Sequence, residues 1–421
     1  MMRSDAPTTD SSEGVEAEAA DSMDSSTCRV GLVPAPELPR DIAEELCDEL
    51  PDLLVRHLDD RYQWQVQMKT DPLIGAEEET REMLHQAQAL SREQGWDYVV
   101  CLTDLPLYRN GRLVIAEGSG ASGVILISQP ALGASPMRKR IREAIIQMLS
   151  ELHHGSSSQA RDRQQQHNDC QSEARRESGL YNNNARELVG WRLSERIAPI
   201  RRITPSDDAD ISVRFIADSR LRGHCKLLAG MVRANRPWTI FPAFRKIIAV
   251  AFATGAYGLL FPTLWRLSDA YSIWRFVLLM LAAMVAMVTW IIIDHGLWEP
   301  QRRSDAFPMA ALYNLTTLIT LGVGVLFYYA ILLIMFLAAV FIFVPDGLLQ
   351  STLGHEVSPW HYPALAWLTS SVATIAGALG AGLESDETVR SATYGYRQKS
   401  RQQRVQQLKG QQKESASSPR E

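Results

Sequence analysis

The segment AFPMAALYNLTTLITLGVGVLFYYAILLIMFLAAVFIFV, Ala306–Val344, decides how this chain is read. It holds no charged side chain and is too long for one simple membrane crossing. As helix, about 40 residues measure about 60 Å, against a hydrocarbon core of about 30 Å. An uncharged run of this length marks an integral membrane protein. Its N-terminal part, with Tyr313, Asn314, Thr316 and Thr317, is the more polar. That part is expected to project beyond the bilayer or to pack against other helices.

Three further apolar stretches flank it: Ile247–Trp265, Phe276–Ile293 and Ala364–Leu383. Trp265, Trp274 and Trp360 stand at their ends, where an interfacial belt places aromatic rings. Charge then sets the count. Arg233, Arg236, Arg245 and Lys246 precede the first stretch, and Arg397, Lys399, Arg401, Arg404, Lys409 and Lys413 follow the last. By the positive-inside rule both ends are cytoplasmic, which requires an even number of crossings. The loop with Arg302 and Arg303 then falls inside and the loop with Asp346 and Glu356 outside. The long run is therefore one over-length crossing, and the expectation is an all-α four-helix transmembrane bundle. No Asp, Glu, Lys, Arg or His lies in the middle of any span, which argues against an ion pump or voltage sensor.

The last stretch carries small residues at helical spacing. Ala373, Gly377 and Ala381 form one ridge; Ser370, Thr374, Ala378 and Gly382 form another. Such ridges let helix backbones approach closely. Packing inside the bundle is the preferred reading, and a homo-oligomer interface is the alternative.

Whole-chain averages conceal this organisation: 421 residues, 46% hydrophobic, 22% charged, net charge −5. Residues 1–27 are acidic and Ser/Thr/Ala-rich, so they are expected to be disordered, and they do not read as a secretory signal. Residues 28–154 read as a cytoplasmic α/β domain and 155–184 as a Gln/Ser/Arg-rich linker. Residues 185–240 read as a basic juxtamembrane module, 241–390 as the four-span region and 391–421 as a disordered basic tail. Cys28, Cys47, Cys101, Cys170 and Cys225 are odd in number and widely spaced, which fits a reducing compartment better than a disulfide framework.

In the soluble domain, Arg29–Val33 reads as a strand and Pro39–Leu58 as helix with a break at Pro51. Tyr62–Met68 alternates like a half-buried strand. Glu77–Gln94 is a polar helix with Met83, Ala87 and Leu90 inward. Tyr98–Leu102 is a buried strand, and Arg112–Ala116 and Val124–Ser128 are two more. Met137–Leu152 is an amphipathic helix with Ile141, Ala144, Ile145, Met148, Leu149 and Leu152 on one face. The order β-α-β-α-β-β-β-α predicts a mixed α/β sandwich.

Gly118-Ser-Gly-Ala-Ser-Gly123 matches the dinucleotide fingerprint literally, but that fingerprint needs a helix after it. Here Val-Ile-Leu-Ile-Ser follows, a strand signal, so the segment is a hairpin connection and no cofactor is assigned. Asp104, beyond the strand at Tyr98–Leu102, is a candidate cleft residue; a turn role is the simpler reading. His153, His154, His167 and Cys170 are close in sequence, yet adjacent histidines diverge on a helix and the other two sit in the linker. A solvated helix end accounts for them better than a metal site. Neither a P-loop nor a G-x-S-x-G occurs. No catalytic, cofactor or metal residue is assigned, and the chain reads as non-enzymatic.

Cys101-Leu-Thr-Asp-Leu-Pro-Leu-Tyr108, the hairpin to Gly123-Val-Ile-Leu-Ile-Ser128, and Arg142-Glu-Ala-Ile145 resemble the second half of archaemetzincin-type zincin domains. In that family the last helix carries H-E-x-x-H on zinc. The matching positions here are Ile146, Gln147, Met148, Leu149 and Ser150, so the resemblance implies a scaffold without its zinc chemistry. Leu227-Leu-Ala-Gly-Met-Val-Arg-Ala-Asn-Arg-Pro-Trp238, Gly382-Leu-Glu-Ser-Asp-Glu387 and Tyr394-Gly-Tyr-Arg397 give the chain a layout similar to an uncharacterised family of actinobacterial membrane proteins. That resemblance implies a bacterial inner-membrane location and no particular activity.

In the basic module, Ile211–Phe215 alternates as a strand and Arg220–Asn235 forms a helix. Leu227, Leu228, Met231 and Val232 lie on one side of it, and Arg220, Arg222, Lys226, Arg233 and Arg236 supply its charge. This suits an interfacial helix on an anionic leaflet; an ordinary helix packed on the bundle fits equally. The acidic balance of the chain argues against nucleic acid as a partner. The functional expectation is a multi-pass plasma-membrane protein with cytoplasmic termini. Its partners are the lipid bilayer and a protein partner or second copy, and its α/β domain binds a partner or ligand. A permease component, motivated by Thr316, Thr320 and Gly324, is the first alternative. An enzyme using the soluble domain is the second.

Overall fold

The computed structural model describes residues 27–71, 80–155, 200–205, 210–237, 241–298 and 309–380. The acidic N-terminus, the linker with His167 and Cys170, the Arg302/Arg303 loop, Ala381 and the basic tail lie outside them.

The α/β part is built on one eight-stranded mixed sheet. Its strands are β1 (Thr27–Pro34), β2 (Gln63–Met68), β3 (Tyr98–Thr103), β4 (Leu107–Arg109), β5 (Arg112–Ser119), β6 (Val124–Ser128), β7 (Ile200–Ile203) and β8 (Val213–Ala217). The order is β2-β1-β3-β6-β5-β8-β7, with β4 paired to β5. The β2-β1-β3-β6 half is parallel and the rest antiparallel. The glycine-rich segment is the β5–β6 hairpin connection, with Gly123 at φ 67°, a conformation that favours glycine.

Helices cover both faces. On one lie α1 (Leu38–Cys47), α2 (Leu50–His57) and α4 (Met137–His153), whose Leu46, Leu54, Ile141, Ile145 and Leu149 join β1, β3 and β6 in the main core. On the other lies α3 (Thr80–Gln94), which buries Met83, Ala87 and Leu90 against Val99, Cys101 and Leu126. The helix predicted over Pro39–Leu58 divides earlier than expected. Its second half starts at Leu50 with Pro51 in the first turn, where a missing N–H costs nothing.

Two expectations need correction. The basic segment is not a separate module: β7 and β8 extend the same sheet, β8 pairing with β5. Between them Glu117 and Arg214 face each other in register, 2.8 Å apart and both buried. Composition alone marks the segment as basic and cannot show that Arg214 has a carboxylate waiting in the domain before the linker. The following helix, α5 (Arg220–Ala234), is equally integrated. Leu227 and Met231 enter the main core, so α5 is a packed element and not a helix lying free on a lipid surface.

The second correction concerns the first span. Helix α6 (Phe241–Gly258) stops short, and the chain turns by 91° into α7 (Pro262–Ala270). Trp265 donates its indole N–H to Leu259 O at 2.9 Å, using a carbonyl released by the break. Ile247–Trp265 is therefore not one straight helix. The apolar run at Ala306–Val344, by contrast, contains a single helix, α9 (Met309–Phe343, 35 residues). With α8 (Ile273–Asp294) it gives two helices long and apolar enough to cross a membrane, or three if the bent pair is one span. Helices α10 (Asp346–Leu353) and α11 (His361–Gly380) complete the described chain. Helix α11 packs against α6, α8 and α9.

Two surfaces in this part are apolar and open. Leu278, Leu281, Val285 and Ile293 of α8 are exposed, as are Leu326, Phe327, Ile334, Phe341, Ile342 and Phe343 of α9. Water would not tolerate such patches on a monomer; lipid would.

Candidate functional site

Helix α9 is about 52 Å long, some 20 Å more than a hydrocarbon core. The surplus is the polar N-terminal part, and it has a definite place. Tyr313 is buried in the main core of the α/β domain, with Met309 and Leu312 packed beside it. One turn on, Thr316 and Thr317 are buried. Thr316 Oγ1 donates to Leu312 O at 2.8 Å and lies 3.7 Å from Met231 Sδ of α5. Asn235 Nδ2, just past the end of α5, donates to Thr320 Oγ1 at 3.0 Å. The face with Thr316 and Thr320 that motivated a permease is thus an interface between α5 and α9.

Helix α5 also packs on the turn at Pro130–Leu132, which follows β6, and on β5. Its Gly230 lies so near the turn at Pro130–Leu132 that an added β-carbon would come within 2.1 Å of Pro130 O. Beneath that turn, Leu105 N–H donates to Thr103 Oγ1 and Ser128 Oγ donates to Leu105 O. Asp104 sits in this cluster, buried at 4% exposure, and does not line an open cleft. A half-open groove of about 410 Å³ lies between α1, the start of α4 and the end of α5, lined by Leu38, Ile42, Pro136, Met137, Arg233 and Arg236. Its size suits a small ligand. Its rim is clamped by Arg236 on Asp41 and by Arg138 on Glu45 and Glu49.

His153 and His154 are not a solvated helix end. His153 is packed among the rings of Tyr62, Trp64 and Tyr98, with Nε2 3.4 Å from Asp59 Oδ2 and Nδ1 3.3 Å from the Tyr98 hydroxyl. Asp59 also takes three hydrogen bonds from Arg61, two from the guanidinium and one from the backbone N–H. These bonds hold its carboxyl well below the usual carboxylate range. Burial lowers the basicity of His154, and His153 adds to this. Of the five helix positions aligned with a zincin motif, Ile146, Met148 and Leu149 are buried in the core, and Gln147 and Ser150 are half-buried.

Of the small-residue ridge, Ala373 and Gly377 face inward. A β-carbon on Gly377 would lie 2.5 Å from the Tyr328 hydroxyl and 3.1 Å from Ala251. Gly255 of α6 approaches Phe336 and Ala373 as closely. This ridge packs within the chain.

The far end of the helices holds a group that sequence reasoning missed. His355 Nε2 lies 3.0 Å from Asp269 Oδ2, and His361 Nε2 lies 3.1 Å from Asp269 Oδ1. The hydrogen bond with His355, then that with His361, holds the Asp269 carboxyl below its ordinary value, and Asp269 raises His355 in turn. Asp269 stands in α7, far along the chain from the histidines, and only the fold joins them. The spacing of His355 and His361 was the one local signal. Comparison with protein families, curated proteins and solved structures found no match for this chain.

Proposed function

We propose that this is a multi-pass plasma-membrane protein with a non-enzymatic role, in which binding of a ligand or partner to the α/β domain is coupled to the membrane helices. One observation carries the reading: Tyr313 belongs to a helix that is otherwise apolar enough to cross a bilayer, yet is buried in the α/β core. A change in the sheet's helices therefore bears directly on the first turns of α9, through packed side chains and the Asn235–Thr320 hydrogen bond. The groove beside Arg233 and Arg236 adjoins the same seam and is the natural place for a ligand to act.

The span arrangement proposed with it is four crossings with both termini cytoplasmic, α6, α8, α9 and α11 forming the bundle. The basic flanks support it, and so does the meeting of the loop around Asp269 with the loop around His355. In a four-span chain those two loops lie on the same side. The Thr-rich face of α9 is occupied by α5, which favours an interaction role over transport.

The test is recovery of the full chain from membranes with its bound proteins or small molecules. The reading expects a reproducible partner or ligand that is lost when Arg233 and Arg236 are replaced by Ala. Loss of solute uptake on deletion, with no such partner or ligand, would sink it. A reporter fused after Lys413 is expected to report cytoplasm, and an external signal would refute the topology.

A further inference from the structure

We infer that Asp269, His355 and His361 form a binding site for a divalent transition-metal ion, with Zn²⁺ as the fitting occupant. The donor atoms of the three side chains lie within 4.8 Å of one another. The carboxylate oxygens stand 3.0 and 3.1 Å from the two imidazole nitrogens. In a tetrahedral zinc shell with bonds near 2.0–2.1 Å, neighbouring ligand atoms are about 3.3 Å apart, so small rotations bring this set into place. Two imidazoles with one carboxylate select zinc-type ions over Mg²⁺ and Ca²⁺, which take oxygen shells.

The outer ring nitrogens supply an independent argument. A histidine that binds metal through Nε2 is oriented by a partner on Nδ1, commonly a backbone carbonyl. His355 Nδ1 lies 3.0 Å from Glu356 O, and His361 Nδ1 lies 3.0 Å from Ser358 O. Ser358 N–H also points at His361 Nδ1, at 2.8 Å. That ring therefore accepts from Ser358 and donates Nε2–H to Asp269 without metal. Binding an ion through Nε2 moves the ring proton to Nδ1, where the Ser358 carbonyl accepts it, and the Ser358 N–H contact must open as the ring turns.

The scaffold is fixed on three sides. Asp269 stands on α7, whose Arg266 donates to Thr352 O at 3.3 Å. His361 begins α11, and the next residue, Tyr362, donates its hydroxyl to Asp346 at the start of α10. His355 lies in the loop between them. Asp269 and His355 are partly open to solvent, which leaves a face of the ion for water. A bound ion would pin the α7 turn to the α10–α11 loop, at the end of α9 opposite the α/β domain. The site does not depend on the ligand-coupling reading.

The test uses the full chain, purified in detergent on a tag without histidine and titrated with Zn²⁺ or Co²⁺ alone. The expected result is one equivalent bound per chain and visible Co²⁺ absorption of tetrahedral strength. His355→Ala and His361→Ala should each weaken binding at least tenfold, Asp269→Asn should weaken it less, and millimolar Mg²⁺ should not compete. X-ray absorption of the wild-type zinc form guards against variants that fail to fold. It should show two imidazoles and oxygen ligands about 2.0–2.2 Å from the metal. No stoichiometric uptake, uptake unchanged in the His355→Ala/His361→Ala double variant, or a sulfur-containing shell would overturn the assignment.

Discussion

Asn235 Nδ2 donates to Thr320 Oγ1 at 3.0 Å, across the seam between a helix of the α/β domain and the longest apolar helix of the chain. Both residues are almost fully buried. A polar pair in such a place has no water to fall back on, so its loss costs more than its formation contributes.

Thr320→Val keeps the shape and removes the acceptor. The expected cost is about 1–3 kcal/mol, the penalty for a buried amide that loses a partner. It should appear as a lower thermal midpoint in detergent and as faster proteolysis of the α/β domain. Asn235→Ala should act similarly, and the double variant should be less than additive, because the two changes remove the same bond. Additive effects would mean that the seam is not held by this pair.

The ion pair between Glu117 of β5 and Arg214 of β8 joins the sheet across the linker. Glu117→Ala leaves a guanidinium buried without that carboxylate and should destabilise the protein by about 3–5 kcal/mol. Replacing both residues, Glu117→Leu with Arg214→Met, should recover most of the loss, since the desolvation penalty goes with the pair. Chemical unfolding of the three variants against wild type reads this directly.

These two pairs also mark where the sequence stops being informative. Periodicity located the α/β elements from β1 to α4 apart from the short β4, because inward residues such as Met83, Ala87 and Leu90 repeat at the spacing of one helical face. The length of the run at Ala306–Val344 leaves its crossings open, and the parity of the basic flanks is what reads it as one; a single helix, Met309–Phe343, lies there. Partnership is not local. Arg214 looked like part of a basic module because Glu117 is far away in sequence. His355 and His361 drew no attention in the sequence because their partner Asp269 stands in α7, far away along the chain. The break after Gly258 escaped notice because the apolar composition runs on through Leu259, Leu260 and Phe261. Asp104, a cleft candidate from its place at a strand end, proved buried among Thr103, Leu105 and Ser128, a closure that strand periodicity does not show.

Asp59 gives a pH dependence with a definite sign. Its carboxyl is held below the ordinary value by the bonds from Arg61, with a further contribution from His153. A depressed folded value means that the stabilisation is full above the unfolded pKa of about 3.9 and is lost as pH falls through the folded value. Asp59→Asn should therefore melt lower than wild type at pH 7. The difference should shrink below about pH 4, where Asp59 of the unfolded chain takes up its proton while the folded carboxyl still holds its charge, and it is gone below the folded value. A gap that widens in acid would contradict this assignment.

Gly377 separates packing within the chain from assembly between chains. A β-carbon there would lie 2.5 Å from the Tyr328 hydroxyl and 3.1 Å from Ala251, with Ile247 close behind. Gly377→Ile must push α11 away from α6 and α9, and overpacking of this kind costs about 1–3 kcal/mol or more. The expected outcome is a lower thermal midpoint with the crosslinked oligomer pattern unchanged. Ile375, on the exposed side of the same helix, is the control: Ile375→Leu should leave both readouts as they are. If Gly377→Ile instead abolished a crosslinked dimer at unchanged stability, the ridge of Ala373 and Gly377 would be an interface between copies. The close approach of Gly255 to Ala373 within the chain would then have to open in the membrane.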